Sequence, residues 1–238
     1  MGGRGFANEV EPIRNERLFV LRNGRWRAMY VPVNPDRVTS GINLSESFAD
    51  CYAREHGVDV GIIPCADGGS CLDQWQVGGL LFDHACYMAE LASRTSTIAA
   101  VLWHQGESDC SEDRYPMYEE KLTVILDAFR QKLGLEDVPF LLGGLGDYLQ
   151  FCPRSEKYKN YVHINAALRR IAEKRPMTGY VCAQGLAPNA DNLHFSAKAL
   201  REFGLRYYEA FTRLEDKNKV FTEKATLDAA IRTDIEHL

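Results

Sequence analysis

Between positions 103 and 109 the chain reads Trp103-His104-Gln105-Gly106-Glu107-Ser108-Asp109, and between 191 and 194 it reads Asp191-Asn192-Leu193-His194. Both runs carry residue types that move protons or hold charge. An aspartate three positions before a histidine, at a turn, lets the carboxylate reach one imidazole nitrogen. That fixes the tautomer and leaves the other nitrogen as a general base. In the first run Gln105 offers a side-chain amide donor. Glu107 is an acid able to orient a histidine or balance its charge, and Gly106 permits a sharp turn. A third run, Pro64-Cys65-Ala66-Asp67-Gly68-Gly69-Ser70-Cys71, places two glycines after an apolar stretch. Backbone N–H groups at such a turn can approach a ligand closely, as a developing oxyanion requires. A base, its acid and oxyanion donors are the parts of an acyl-transfer site.

Each run also has an ordinary reading. Gly68-Gly69 suits a tight turn, His104 suits a satisfied core histidine, and Asp191 or Asn192 suits a turn with a surface His194. The combination argues for a site, because so many polar groups at strand ends cost desolvation unless they are used. His104 and Glu107 lack a third ligand at a metal-site spacing, so no metal or cofactor is expected. Asp147 and Tyr148 suit a plain loop. His56, His84, His163 and His237 suit structural or surface roles.

These runs need a scaffold. Residues 16–29 read as two short strands about Asn23-Gly24. A helix is expected over 43–57, capped by Ser45 and ended by Gly57, and others over 78–93, 114–134, 157–174 and 196–214. Apolar, β-branched strands are expected over 58–66, 95–105, 138–145 and 179–185. Strands alternating with helices predict an α/β fold with a mainly parallel sheet and helices on both faces. In such sheets ligands bind beyond the carboxyl ends of the strands, where all three runs fall.

The chain has 238 residues, 45% of them hydrophobic and 26% charged, with a net charge of −5. That suits one domain over 1–214 with a charged extension over 215–238. The negative balance argues against nucleic acid as a partner, and no apolar run is long enough to span a bilayer. The seven cysteines have no paired spacing, and the N-terminus has no apolar leader. Both features point to a cytoplasmic protein with reduced thiols.

The segments PCADGGSCLDQW, VLWHQGESD and DNLHFS, in that order, resemble the SGNH-type carbohydrate esterases, in particular the acetylxylan esterases and sialate O-acetylesterases. The likeness runs from the Gly-Gly-Arg-Gly-Phe near the start to about residue 213. It implies a flavodoxin-like three-layer α/β/α sandwich (the SGNH hydrolase fold) and a serine esterase that removes acetyl groups from sugar hydroxyls without a metal. On this resemblance His194 is the general base and Asp191 its acid, with Glu107 ranked second. Gly69 and Gln105 are the oxyanion donors. Gly68, Ser70, Trp103 and His104 line the pocket, and the partner is an acetylated carbohydrate.

One departure matters. In the family a Gly-Gln-Ser-Asn-Met segment after the first strand carries the nucleophile and runs into Ala-Gly-Arg-Gly-Phe. Here Met1 aligns with the methionine of that segment. The expectation is that the nucleophile serine and the first strand lie upstream of Met1. The alternative is a shortened, non-catalytic relative that only binds carbohydrate. Ser70, Cys71 and Ser108 are the other hydroxyls and thiol near the expected site.

Overall fold

The structure is a computed structural model and describes residues 1–214. The extension over 215–238, with His237, lies outside the described residues. The chain opens with a hairpin, β1 (Leu18–Arg22) and β2 (Arg25–Ala28). Asn23 and Gly24 turn it with φ of 49° and 76°, the paired positive angles that match strand twist in a two-residue turn. Helix α1 (Leu44–His56) follows, then β3 (Val60–Ile62), α2 (Leu80–Ala92) and β4 (Val101–Trp103). Next come α3 (Tyr118–Leu133), β5 (Phe140–Gly143), α4 (Ser155–Tyr158), α5 (Tyr161–Lys174), β6 (Thr178–Val181) and α6 (Ala197–Leu214).

Several boundaries depart from expectation. The cap of α1 is Asn43, not Ser45: its Oδ1 accepts the Ser45 N–H, while Glu46 accepts the Asn43 N–H. That reciprocal pair satisfies two orphan donors of the first turn. The helix expected over 157–174 is two helices, broken between Tyr158 and Tyr161. Gly57 and Gly134 end α1 and α3 in left-handed conformations, φ 66° and 63°, as expected of glycine after a helix.

The expected single sheet is two three-stranded sheets, ordered β2-β1-β3 and β4-β5-β6. Strand β1 pairs antiparallel with β2 and parallel with β3; β4, β5 and β6 are all parallel. Helices α1 and α6 pack together as one layer, and α2, α3 and α5 form the other. The chain is thus a three-layer α/β/α sandwich. Strand β5, paired on both sides, is wholly buried, with Phe140, Leu141 and Leu142 at 0% exposure. Strands β3 and β4 are paired on one side only and their residues are mostly half-buried. Their ladders span three residues each, where longer strands were expected.

Between β3 and β4 lies a cavity of about 1420 Å³. Its long walls are the consecutive residues 60–65 and 98–105. Phe48 and Tyr52 of α1 close one face, and Ala85, Ala89 and Phe129 of α2 and α3 close the other.

Candidate active site

The histidine loop is built locally. Pro188 and Phe195 form an isolated bridge, and Asn189 N–H donates to the His194 carbonyl at 2.6 Å. Asn192 takes φ 49°, a left-handed angle that asparagine tolerates better than most residues. The turn closes around Asp191. Its Oδ1 accepts the N–H groups of Leu193 (2.9 Å) and His194 (3.0 Å), and its Oδ2 lies 2.6 Å from His194 Nδ1. Partial desolvation pushes the Asp191 carboxyl up. The His194 N–H and imidazole and the Leu193 N–H outweigh it and hold the carboxyl below the usual range. An ionised Asp191 keeps the proton on Nδ1 and leaves Nε2 as the acceptor. Both side chains are about half exposed, so the pair stands at an open cleft. Asn189 Nδ2 ties the loop to the N-terminal segment through the Arg4 carbonyl at 2.9 Å.

The glycine loop is held by a segment that sequence reasoning left unassigned. Asn34 pairs with the backbone of Ala66, donating to its carbonyl (3.0 Å) and accepting its N–H (3.2 Å). Asp36 Oδ2 accepts the Gly68 N–H at 2.7 Å, and Arg37 Nη2 donates to the Gly68 carbonyl at 2.7 Å. Arg4 grips the same Asp36 with two bonds, 3.0 and 2.7 Å, and Ser40 Oγ adds a third at 2.8 Å. Desolvation pushes Asp36 up, but Arg4, Ser40 and the Gly68 N–H overcome it and hold the carboxyl below its ordinary value. Gly69 follows at φ 82°, with open space where a side chain would stand. Its N–H has no partner among the described residues. Gly69 and His194 line the same cavity, and an unpartnered backbone N–H is the type of donor an oxyanion needs.

Substituting Asp36 by alanine strips the Gly68 N–H of its acceptor and leaves Arg4 without its partner. A loss of about 2–3 kcal/mol is expected, with faster amide exchange at Gly68 and Gly69. The folded carboxyl is depressed, so its contribution is complete above the unfolded value of about 3.9 and vanishes as pH falls through the folded one. Unfolding of the parent and of D36A, compared from pH 7 down to pH 3, tests this: the gap in stability should close below about pH 4. A gap that is absent at pH 7 would rule the clamp out.

The 103–109 run is pinned from both helix layers. Tyr207 of α6 donates to the Trp103 carbonyl and Tyr118 of α3 to the Gln105 carbonyl, each at 2.7 Å. Gly106 turns the chain at φ 151°. The Trp103 ring stands edge-on to Trp75, centroids 5.3 Å apart. His104 is enclosed edge-on by Phe195 and Phe203. Burial pulls its imidazole down to about 4 against the pull of Glu107, so at neutral pH it is an uncharged part of the wall.

Two residues have contacts that differ from their expected roles. Gln105 has no free amide hydrogen for an oxyanion, because its Nε2 donates to the Ser70 carbonyl (3.0 Å) and to Asp109 Oδ2 (2.5 Å). The reason is Asp109, a buried carboxylate that also accepts the Leu72 N–H at 3.1 Å. Gln105 thus locks the glycine loop to the 103–109 turn. Glu107 makes no hydrogen bond or ion pair to His194. Its charge acts instead on His104. Among the described residues, Asp191 is the carboxylate bonded to the His194 imidazole.

Every residue expected at the site lines the one cavity, apart from Asp191, which stands behind His194. The nearby nucleophile candidates are engaged elsewhere. Ser70 Oγ, buried, donates to the Asp67 carbonyl and accepts from Trp75 Nε1. Cys71 is buried against Gln74, and Ser108 Oγ donates to the Gly69 carbonyl at 2.8 Å. None of the three contacts His194. Asp147 and Tyr148 begin a 3-10 turn away from the cavity, as a loop was expected to. His56 stacks on Tyr52 and His163 on Tyr115. All seven cysteines are free thiols. Among the described residues no helix is long and apolar enough to cross a membrane.

Arg4, Asn34, Asp36, Arg37 and Asp109 hold the candidate site's loops in place, and sequence reasoning assigned them no role. Arg4 and Asp109 lie inside the recognised segments, so only the role was unread. The 34–37 stretch sits in an irregular region and carries no periodic signal.

A probable carbohydrate esterase of Arabidopsis thaliana is 25% identical over 201 residues, covering 79% of this chain and 71% of its own. The X-ray structure of that Arabidopsis protein superposes with a TM-score of 0.78 at 24% identity, covering 90% of this chain and 93% of that one. The crystal structure of NanS superposes with a TM-score of 0.66 at 16% identity, over 89% of this chain and 92% of that one. A carbohydrate acetylesterase from Xanthomonas citri gives 0.63 at 18% identity, over 84% of this chain and half of that one. At these identities the solved structures establish the shared fold. The family model described as carbohydrate esterase, sialic acid-specific acetylesterase, matches residues 1–213, and the chain belongs to that carbohydrate esterase family.

Proposed function

We propose that this protein is a carbohydrate O-acetylesterase that works through an acyl-enzyme, with its nucleophile a serine on polypeptide preceding Met1. The observation that carries the reading is the 2.6 Å contact between Asp191 Oδ2 and His194 Nδ1, with His194 and Gly69 lining one cavity. Three facts support the source of the serine. Ser70, Cys71 and Ser108 are committed to other partners, Met1 lies in the same cavity, and the sequence resemblance places a serine just before that methionine.

His194 Nε2 takes the serine proton as the hydroxyl oxygen bonds to the acetyl carbon. The carbonyl oxygen becomes an oxyanion held by the Gly69 N–H and the serine's own N–H. The imidazolium then protonates the departing sugar oxygen as its bond to the acetyl carbon breaks. His194 next takes a proton from water, and the hydroxyl adds to the acyl-enzyme. Collapse releases acetate and returns the proton to serine. Gln105 and Asp109 keep the glycine loop in place throughout.

The test is acetate release from an aryl acetate, from O-acetylated sialic acid and from acetylated xylo-oligosaccharides. The 238-residue chain is run beside one extended through its upstream codons. Activity confined to the extended chain supports the reading. Equal activity of both chains would move the nucleophile back to Ser70, Cys71 or Ser108. Inactivity of both, with sugar binding retained, would favour a non-catalytic carbohydrate-binding protein.

A further inference from the structure

Beside the candidate active site lies a second hollow, a groove of about 690 Å³ between α2, the β1–β2 turn and residues 64–67. That volume falls within the roughly 300–1,000 Å³ of small-molecule sites. Leu81, His84, Met88 and Leu91 line it at helical spacing, so one face of α2 forms a wall about 15 Å long. The β1–β2 turn meets the end of that wall at Gly24 and Leu91. The opposite wall is fixed by bonds already made. Arg22 Nη2 donates to the Pro32 and Val33 carbonyls, and Asn34 holds Ala66 through both backbone groups. A site walled in this way needs little ordering when a ligand binds.

The side chains left over have the chemistry of a sugar-binding surface. Tyr87 lines the groove and is 62% exposed, and His84, one helical turn away, is exposed as well. Neither side chain makes a hydrogen bond or ion pair among the described residues. Asp67 pairs with Arg37 only at 3.8 Å, which leaves its carboxylate oxygens open to hydroxyl donors. An exposed aromatic ring meets the C–H face of a pyranose, positive hydrogens against a negative face. A carboxylate and an imidazole take and give the hydroxyl hydrogen bonds. Asp36 and Asp67 both line the groove, and Arg22 is spent on carbonyls, so the surroundings favour uncharged hydroxyls over an acidic sugar. The groove is also continuous with the candidate site. Asn34 and residues 64–67 line both the groove and the cavity that holds Gly69 and His194. Asp67 stands two residues before Gly69, within about 7 Å along the chain. An oligosaccharide with one unit at Gly69 therefore reaches the groove across Asp67.

We infer that this groove is a subsite for a neutral sugar unit of an oligosaccharide, stacked on Tyr87 and hydrogen-bonded by Asp67 and His84, next to the unit that carries the acetyl group. The link between groove and acetyl group rests on the esterase reading; sugar binding in the groove does not. On that reading acetylated oligosaccharides are better substrates than single acetylated sugars, because the second unit makes contacts that a monosaccharide lacks.

The probe is unacetylated xylotetraose, added to the isotope-labelled 238-residue chain, so that no turnover is needed. The NMR signals of Tyr87, His84, Asp67 and Gly24 should shift and saturate, with a Kd on the order of 1 mM. Tyr87→Ala should weaken binding about tenfold, and Tyr87→Phe, which keeps the ring, by less than about threefold. Tyr87 is exposed, so neither change disturbs the core. In the extended chain, Y87A should lower kcat/KM about tenfold for acetylated xylotetraose relative to an acetylated methyl xyloside. Absence of shifts at about 10 mM sugar, or equal binding by Y87A, would overturn the subsite. Tighter binding of sialyllactose would overturn its assignment to a neutral sugar. Broadening of the same signals with protein concentration alone would overturn the subsite too, since a second copy would then cover the groove. An unchanged kcat/KM ratio would overturn its link to the acetyl group. Saturating shifts beside an inactive extended chain would leave the subsite standing and sink only the esterase reading.

Discussion

Replacing His194 with alanine in the extended, nucleophile-bearing chain should lower kcat for acetate release by on the order of 10⁴-fold, with little change in KM. In the proposed mechanism the imidazole acts twice, taking the proton from serine and later from water. His104 is uncharged and enclosed by Phe195 and Phe203, and Glu107 makes no bond to the reacting group. Asp191→Asn should lose a comparable factor through the wrong tautomer, since the amide's N–H₂ cannot accept the Nδ1 proton. Glu107→Gln separates the two acids: with Asp191 alone on Nδ1, it should keep activity within about tenfold, less than half the effect of D191N on a logarithmic scale. The checks are steady-state kinetics with an aryl acetate and circular dichroism to confirm folding. A turnover of H194A within tenfold of the parent would remove the general base from the scheme. Because Asp191 is held below the usual carboxylate range, its protonation should not limit the rate until pH falls below about 4.

The site was legible in proportion to how local it is. The Asp191–His194 pair spans three positions and closes through its own turn, so its chemistry could be read from spacing. The 103–109 run could be read as a site but not resolved, because its fixed contacts lie far off. Asp109 reaches Leu72 across 37 positions, and that long-range bond turns Gln105 from a free donor into a lock. Asp36 reaches Arg4 across 32 positions from a stretch with no periodicity, and it went unassigned. Helices were placed to within a few residues, since their pattern repeats every turn. The strands over 58–66 and 95–105 were overestimated for a different reason. Hydrophobicity marks where a strand belongs, whereas a ladder is set by long-range pairing, and even β5, paired on both sides, spans four residues where eight were expected.

The largest stability effect expected outside the cleft is at Glu46 and Arg201, which join α1 to α6 across 155 positions. Glu46 has 0% exposure; its Oε1 accepts the Asn43 N–H and its Oε2 the Arg201 Nη1, at 2.7 and 2.6 Å. Desolvation raises the Glu46 carboxyl above its ordinary value even though Arg201 and the Asn43 N–H oppose it. Arg201→Ala leaves that carboxylate buried without its cation, which should cost about 3–5 kcal/mol at pH 7. The sign with pH follows from the raised value. Above about pH 4.3 the unfolded chain has released the Glu46 proton while the folded chain still holds it, so stability falls as pH rises to the folded value. Removing Arg201 raises that value further and steepens the loss. The deficit of R201A, measured by urea unfolding, should therefore be large at pH 7 and shrink toward pH 4. Combining Arg201→Met with Glu46→Gln removes both charges, keeps an acceptor for the Asn43 N–H and discards the unpartnered Arg201 Nη2. The double variant should regain most of the loss, because the penalty lies in the abandoned charge rather than in the missing pair. If R201A unfolds within about 1 kcal/mol of the parent at pH 7, the contact is too well solvated to act as a buried pair. The junction of α1 and α6 would then rest on its packing, at Gly204 against the Leu44 carbonyl, and on the Ser47 Oγ bond to the Arg201 carbonyl at 2.8 Å.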